Sequence, residues 1–278
     1  MTESPSKPVG ELPEREVSAF VQKNPWEILR AFTDARIGLG RAGISLPTKA
    51  LLEFQLAHAQ AQDAVHTPLA LEVLCRDLQG LCHDLQELTG STPLRLHSCA
   101  EDRASYLQRP DLGRQLAPLF RQELMALATQ AASPPDLAIV VADGLSALAV
   151  QRHAAPMLQA LFARLVPGDS QHWSLAPLCV VQQGRVAIGD DIGAALNARS
   201  VLVLIGERPG LSSPDSLGLY LTWGPKPGLT DASRNCISNV REGGLGYTEA
   251  ADKIFYLLQA SRRLQRSGVT LKERAEHA

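Results

Sequence analysis

The stretch DLAIVVADGLSALAVQRHAAPMLQALFARLV, residues 136–166, decides the fold. Leu137 to Ala142 form an unbroken apolar run of strand length. A strand with one wet face would alternate, so this one must be covered on both sides. The run ends in the turn pair Asp143-Gly144, and a helix-length segment follows at once. Strand, turn and helix in that order are the repeating unit of a parallel sheet. The order recurs downstream. LAPLCVVQ (175–182) is followed by the short helix DDIGAALNA (190–198), then VLVLI (201–205) ending at GERPG, LGLYLTW (217–223), and a last helix from Thr248 to Arg266. The short distance from Leu175 to Ile188 predicts a hairpin there and therefore a mixed sheet. The class is α/β, a Rossmann-like open sheet with right-handed crossovers occupying residues 133–278.

Upstream of this sheet the pattern is helical. Residues 1–20 are polar, rich in proline and without periodicity, so they read as a mobile tail. Residues 21–132 read as a mainly helical region. Trp26, Leu29 and Phe32 fall at helical spacing before the glycines that follow Ile37. Thr48 is placed to cap TKALLEFQLAHAQAQDAV, and Leu71, Leu74, Leu78, Leu81 and Leu85 share a face of a helix over 69–88. A further helix follows Pro110 and Asp111. An α/β domain of 133–278 does not need this region for its own core, so the region is expected to dock a partner. Removing residues 1–100 is expected to leave the sheet domain folded.

Composition narrows the function. Lys plus Arg number 27 and Asp plus Glu 29, a formal net charge of -2, with hydrophobic residues at 45%. That balance carries no basic excess for nucleic acid. No apolar stretch approaches the roughly 20 residues of a membrane-spanning helix. The start MTESPSKPVGELPERE lacks a basic flank followed by an apolar core, so no secretory signal is read and the cytoplasm is expected. Cys75, Cys82, Cys99, Cys179 and Cys236 form no CxxC pair, which disfavours structural zinc, and no metal site is expected.

Ligands of open α/β sheets sit beyond the carboxyl ends of strands. Two loops lie there: ADGLS (142–146) and IGERPGLSSPDS (205–216). Asp143 and Gly144 read as a turn and cap. Glu207 and Arg208, in a long polar loop, read as ligand-binding. There is no GxxxxGK[ST], no GxGxxG placed after a strand, no GxSxG elbow and no HEXXH. The seven histidines are dispersed; His58 with Asp63, or His153, are acid–base candidates, although surface or satisfied histidines are commoner. Asn235, Cys236, Ser238 and Asn239, followed by Gly243, Gly244 and Gly246, form a polar segment open to two readings, a ligand approach or an irregular connection, before a helix capped by Thr248. The chain thus has a ligand mouth and no self-contained catalytic set.

Five motifs occur in order: ARIGLGRAG (35–43), YLQRPDLGR (106–114), VVADGLSA (140–147), LIGERPGL (204–211) and RNCISNVREGG (234–244). Together they resemble the small (light) subunit of ethanolamine ammonia-lyase, over about residues 24–260. The resemblance implies a radical enzyme converting ethanolamine to acetaldehyde and ammonia. A large TIM-barrel subunit would hold ethanolamine, and adenosylcobalamin would lie between the subunits in a hetero-oligomer of αβ units. It implies corrin contacts at Val186 in QGRVAI, Glu207 in GERPG and Cys236 in RNCIS, and no catalytic residue on this chain. The sequence DxHxxG, expected where a protein histidine displaces the cobalamin base, is missing here. Enteric members carry a longer amphipathic N-terminal extension thought to direct them into a protein-shelled microcompartment. Here the tail has no such helix, so free cytoplasm is expected. Two other classes are weighed: a stand-alone α/β hydrolase or transferase using Asp143, His153 or Cys236, and a purely structural assembly subunit.

Overall fold

A computed structural model describes residues 24–33, 35–84, 92–165 and 172–271. The tail call for residues 1–20 and the end of the helix expected over 69–88 lie outside the described residues. The chain divides into two compact units, 1–55 and 56–278.

In the first unit a 3-10 helix covers Pro25–Phe32, where Asn24 accepts from the Trp26 N–H at 3.2 Å through its side chain. The three-residue spacing of Trp26, Leu29 and Phe32 is the period of a 3-10 helix, which is why they share a ridge. Asn24 also donates to the Gly38 carbonyl at 2.7 Å. Gly38 has φ +61, and a Cβ there would lie 2.6 Å from the Trp26 carbonyl oxygen, so only glycine closes this turn. Helix α1 (Thr48–His66) begins in this unit and ends in the second.

The second unit contains α2 (Leu71–Asp84), β1 (Leu94–His97), α3 (Arg103–Gln108), α4 (Pro118–Gln130), β2 (Leu137–Ala142), α5 (Ala147–Leu165), β3 (Cys179–Gln182), α6 (Ile188–Ala195), β4 (Ser200–Gly206), β5 (Leu217–Trp223), β6 (Arg234–Val240) and α7 (Tyr247–Leu264). The six strands make one sheet in the order β1-β3-β2-β4-β5-β6. The pairs β1–β3, β3–β2 and β2–β4 are parallel, and β4–β5 and β5–β6 are antiparallel. The α/β class holds, with a mostly parallel six-stranded sheet.

All six residues of β2 are buried, as an apolar run with two covered faces requires. Leu137, Ile139 and Val141 point into a core with α2, α5 and α7; Ala138, Val140 and Ala142 point into the opposite core with α4 and α6. Burying each such Val, Leu or Ile contributes about 1.5–3 kcal/mol before entropy is counted. Small residues let α6 lie close to the sheet: a Cβ on Gly189 would stand 2.3 Å from Val203, and one on Gly193 2.5 Å from Pro225.

Four expectations are corrected. The segment after Leu175 is no hairpin: β3 runs parallel to β1 and β2, and Gln183 (φ +55) and Gly184 turn the chain into α6 instead. The sheet is mixed because β5 and β6 reverse. The described part of region 21–132 is mainly helical, as read, but it is not separate from the sheet: Leu94-Arg-Leu-His97 pairs with β3 as an edge strand, too short to declare itself by periodicity. Removing residues 1–100 would therefore strip a strand from the sheet. The polar segment RNCISNV is strand β6, whose Arg234, Ile237 and Val240 are buried while Cys236 and Ser238 stay exposed, the mark of an edge strand with one wet face. Finally, α7 starts after Gly246, with no side-chain cap from Thr248.

Candidate functional site

From β2 the chain crosses to β3 on one side; from β4 it continues to β5 on the other. The loops leaving β2 and β4 thus diverge, and a crevice opens between their carboxyl ends, where ligands of such sheets bind. A cleft of about 410 Å³ occupies this place, lined among others by Gly144, Arg185, Val186, Glu207, Arg208 and Tyr220.

Its floor is a close approach of two backbones. Gly144 has φ +58, and a Cβ there would meet the Gly206 carbonyl oxygen at 2.2 Å; one on Gly206 would meet the Ser146 carbonyl oxygen at 2.0 Å. The Leu145 N–H donates to Gly206 O at 2.9 Å, locking the ADGLS turn to the end of β4. Asp143 is 2% exposed and faces away from chemistry: its two oxygens accept from the backbone N–H groups of Gln183 (2.9 Å) and Gly184 (3.0 Å). Burial pushes its pKa up, and those donors and the Arg103 guanidinium, 3.8 Å away, pull against it. Asp143 therefore fastens the β3–α6 turn, and with it Val186, to the end of β2.

Tyr106, from the YLQRPDLGR motif, forms the wall beneath Val186. Arg103 lies 4.7 Å from its ring centroid and Arg185 4.4 Å, each guanidinium stacked on the ring. Its hydroxyl donates to Gly184 O at 3.3 Å, and burial raises its pKa to about 12, so it stays protonated. Gly113 of the same motif must be small, because a Cβ would press on Arg185 at 2.9 Å and on the Tyr106 ring at 3.0 Å.

Glu207 lines the opposite wall. Its Oε2 accepts from the Ser216 hydroxyl and, at 3.2 Å, from the Asn239 N–H, which draws the loop after β4 and the end of β6 together. Cys236 stands opposite Tyr220 in the β5–β6 register, and Tyr220 lines the cleft. Although the residue is exposed overall, partial desolvation of its thiol beside Tyr220 raises the pKa; the charge of Glu207 acts in the same direction and the Tyr220 hydroxyl opposes it. That is a resting thiol rather than an activated nucleophile. Of the positions named from sequence, Val186 and Glu207 both line the cleft, and Cys236 lies outside its lining, paired with the lining residue Tyr220. Tyr106, Arg185 and Tyr220 were not singled out from sequence, although two of them lie inside the quoted segments YLQRPDLGR and QGRVAI.

The acid–base and nucleophile candidates do not converge. His153, on α5, pairs its Nδ1 with the Tyr247 hydroxyl at 2.8 Å and its Nε2 with Asp215 at 3.4 Å, in a separate pocket with Arg152 and Arg241. His58 and Asp63 are exposed on α1. Among the described residues no group of three or more His, Cys, Asp or Glu side chains is placed to hold a metal ion.

Fold and site together define an α/β protein with a cleft at a sheet switch point, where Arg185, Glu207 and Arg208 stand among apolar side chains while Asp143 is tied up in holding the fold. Comparison with known sequences gives the family. The profile described as ethanolamine ammonia-lyase light chain matches residues 23–272. The chain is 55% identical over 258 residues to an ethanolamine ammonia-lyase small subunit of Ralstonia nicotianae, covering 93% of this chain and 92% of that one. It is 56% identical over 256 residues to one of Azotobacter vinelandii, covering 92% and 91%. A protein of the same description from Xanthomonas campestris pv. campestris is 55% identical over 254 residues, covering 91% of this chain and 89% of that one. The chain belongs to the ethanolamine ammonia-lyase light-chain family.

Proposed function

We propose that this chain is the cofactor-covering small subunit of an adenosylcobalamin-dependent ethanolamine ammonia-lyase, acting with a large TIM-barrel subunit that holds ethanolamine, in a hetero-oligomer of αβ units. The observation that carries the reading is the convergence of Val186, Glu207 and, through Tyr220, Cys236 on one cleft. The donor set fits a corrin with peripheral amides: Glu207 accepts amide N–H groups, Arg185 and Arg208 offer N–H donors, and Val186 and Leu145 give apolar contact. When bound, adenosylcobalamin would supply the radical chemistry that converts ethanolamine to acetaldehyde and ammonia. This chain's own part is to hold and orient the corrin face. Asp143 and the Gly144–Gly206 contact keep the Val186 and Glu207 walls at a set separation.

Exposed apolar side chains in the first unit support its use as part of the docking surface for the large subunit: Trp26, Ile28 and Phe32 are 65%, 71% and 82% exposed. No helix among the described residues is long and apolar enough to cross a membrane. We read the enzyme as working free in the cytoplasm, without nucleic acid.

The test is reconstitution. Neither purified subunit alone should deaminate ethanolamine, and mixing should restore turnover that depends on adenosylcobalamin. Full activity of the large subunit alone would overturn the reading. Glu207→Ala should weaken cobalamin binding by the mixed complex; an unchanged affinity would leave only an assembly role. Turnover of a substrate by this chain without cobalamin would favour the hydrolase or transferase class, which the scattered Asp143, His153 and Cys236 do not support.

A further inference from the structure

Arg185 stands in the cleft wall beside Val186 and is held there before any ligand arrives. Its backbone N–H donates to Gly113 O at 2.7 Å, its Nη2 donates to Tyr106 O at 3.1 Å, and its guanidinium stacks on the Tyr106 ring at 4.4 Å. A long side chain fixed in this way loses little further freedom on binding. Yet it is half-buried, its Nε has no hydrogen-bond partner, and no carboxylate among the described residues pairs with it. Arg103, on the same Tyr106 ring, differs, with Asp143 3.8 Å away, and elsewhere in the fold Arg121 has Asp191, Arg152 has Asp215 and Arg234 has Asp190. A partly desolvated guanidinium whose one acceptor is a backbone carbonyl, with no carboxylate and with Nε unpaired, is costly, and a ligand oxygen would relieve it.

The chemistry of that ligand follows from what shares the cleft. An anion drawn to Arg185 would also meet the carboxylate of Glu207, and a cation drawn to Glu207 would meet Arg185 and Arg208. A neutral primary carboxamide satisfies both, offering its carbonyl oxygen to the guanidinium and its N–H groups to a carboxylate. We propose that Arg185 is a ligand-contacting residue of this cleft, donating to the carbonyl oxygen of a peripheral carboxamide while Glu207 accepts from amide N–H groups. The assignment rests on the cobalamin reading above, which supplies a ligand rimmed with such amides.

Equilibrium binding to the complex of small and large subunits tests it, with cobalamin and its monocarboxylic derivatives, each with one peripheral amide hydrolysed, as probes. In the unsubstituted complex the derivative whose carboxylate falls at Arg185 gains the guanidinium's attraction and meets the repulsion of Glu207, so it should lose less affinity relative to cobalamin than a derivative whose carboxylate falls at Glu207. Arg185→Gln should weaken cobalamin about tenfold, the scale of one lost hydrogen bond to a charged group, and that derivative several times more. Arg185→Lys, which keeps the charge, should weaken that derivative no more than cobalamin, which preserves the test if the Gln variant folds poorly. A role in folding alone would weaken every probe by one factor, and that result, or an unchanged cobalamin affinity in Arg185→Gln, overturns the assignment. Failure of the unsubstituted complex to bind cobalamin would instead overturn the cofactor reading on which it rests.

Discussion

Replacing Gly206 by Ala probes the contact that builds the cleft. The added Cβ would lie 2.0 Å from the Ser146 carbonyl oxygen and 2.6 Å from the Asp143 carbonyl oxygen, where real Cβ atoms essentially never approach within 3.0 Å. Both obstacles are backbone, so no side chain can swing away. Relief requires the ADGLS turn and the end of β4 to part by about 1 Å, and a 2.9 Å hydrogen bond stretched that far is no longer one. Losing the Leu145 N–H to Gly206 O bond costs about 0.5–1.5 kcal/mol. Overpacking strain adds about 1–3 kcal/mol. The expected loss is about 2–4 kcal/mol, read as a lower urea midpoint at constant slope. Because Gly144, Gly206 and Glu207 line the same cleft, cobalamin affinity of the mixed complex should fall as well. Gly246→Ala is the control, since nothing lies within 4 Å of a Cβ there and its φ is -66. A Gly206→Ala loss below about 0.5 kcal/mol with unchanged affinity would refute the close approach and the account of the cleft built on it.

Four further outcomes are expected. Gly80→Ala, at an exposed position inside α2 with open space around it, should raise stability by about 0.5–1 kcal/mol in urea denaturation. Asp143→Ala leaves the Gln183 and Gly184 N–H groups unpaired and should cost about 2–4 kcal/mol by the same assay, weakening cobalamin binding through the displaced Val186 turn. Burial raises the Asp190 carboxyl to about 6 against the attraction of Arg234. Its folded pKa lies above the unfolded value, so its contribution is full below the ordinary carboxylate range and is lost as pH rises through about 6. Melting temperature followed against pH should show that fall, and Asp190→Asn should flatten it. Deleting residues 1–47 should weaken capture of the large subunit while the near-ultraviolet signal of the sheet unit, with buried Trp173 and Tyr106, persists.

The legible parts of the molecule share a physical cause. β2 and β4 were readable because a strand covered on two faces must be apolar at every position, and no loop looks like that. That the ADGLS and GERPG loops share one end of the sheet was readable because each directly follows an apolar strand, and the Leu145 N–H to Gly206 O bond joins them there. β1 and β6 were not readable. Each sits at a sheet edge, so LRLH is too short to show a period, and RNCISNV needs only Ile237 and Val240 inside and leaves the rest polar. The parallel course of β3 was hidden for a related reason. Local sequence favoured a short return, whereas Asp143, distant in the chain, holds the Gln183–Gly184 turn that sends it into a helix.

By itself the sequence determined the α/β class, through its apolar runs, and the family, through five motifs in order; the resemblance those motifs carry pointed to Val186, Glu207 and Cys236 as positions worth placing. Runs and motifs are local. Only the tertiary structure decided that Val186 and Glu207 line one cleft with Cys236 paired to its Tyr220, that Asp143 is a fastener rather than a base, and that Arg185 stands pinned beside them without a carboxylate partner. Each of these depends on groups far apart in sequence: Tyr106 against Arg185, Gly144 against Gly206, Tyr220 against Cys236. Such pairings are set by how the sheet orders its strands, and strand order is a property of the packed whole that no window of sequence contains.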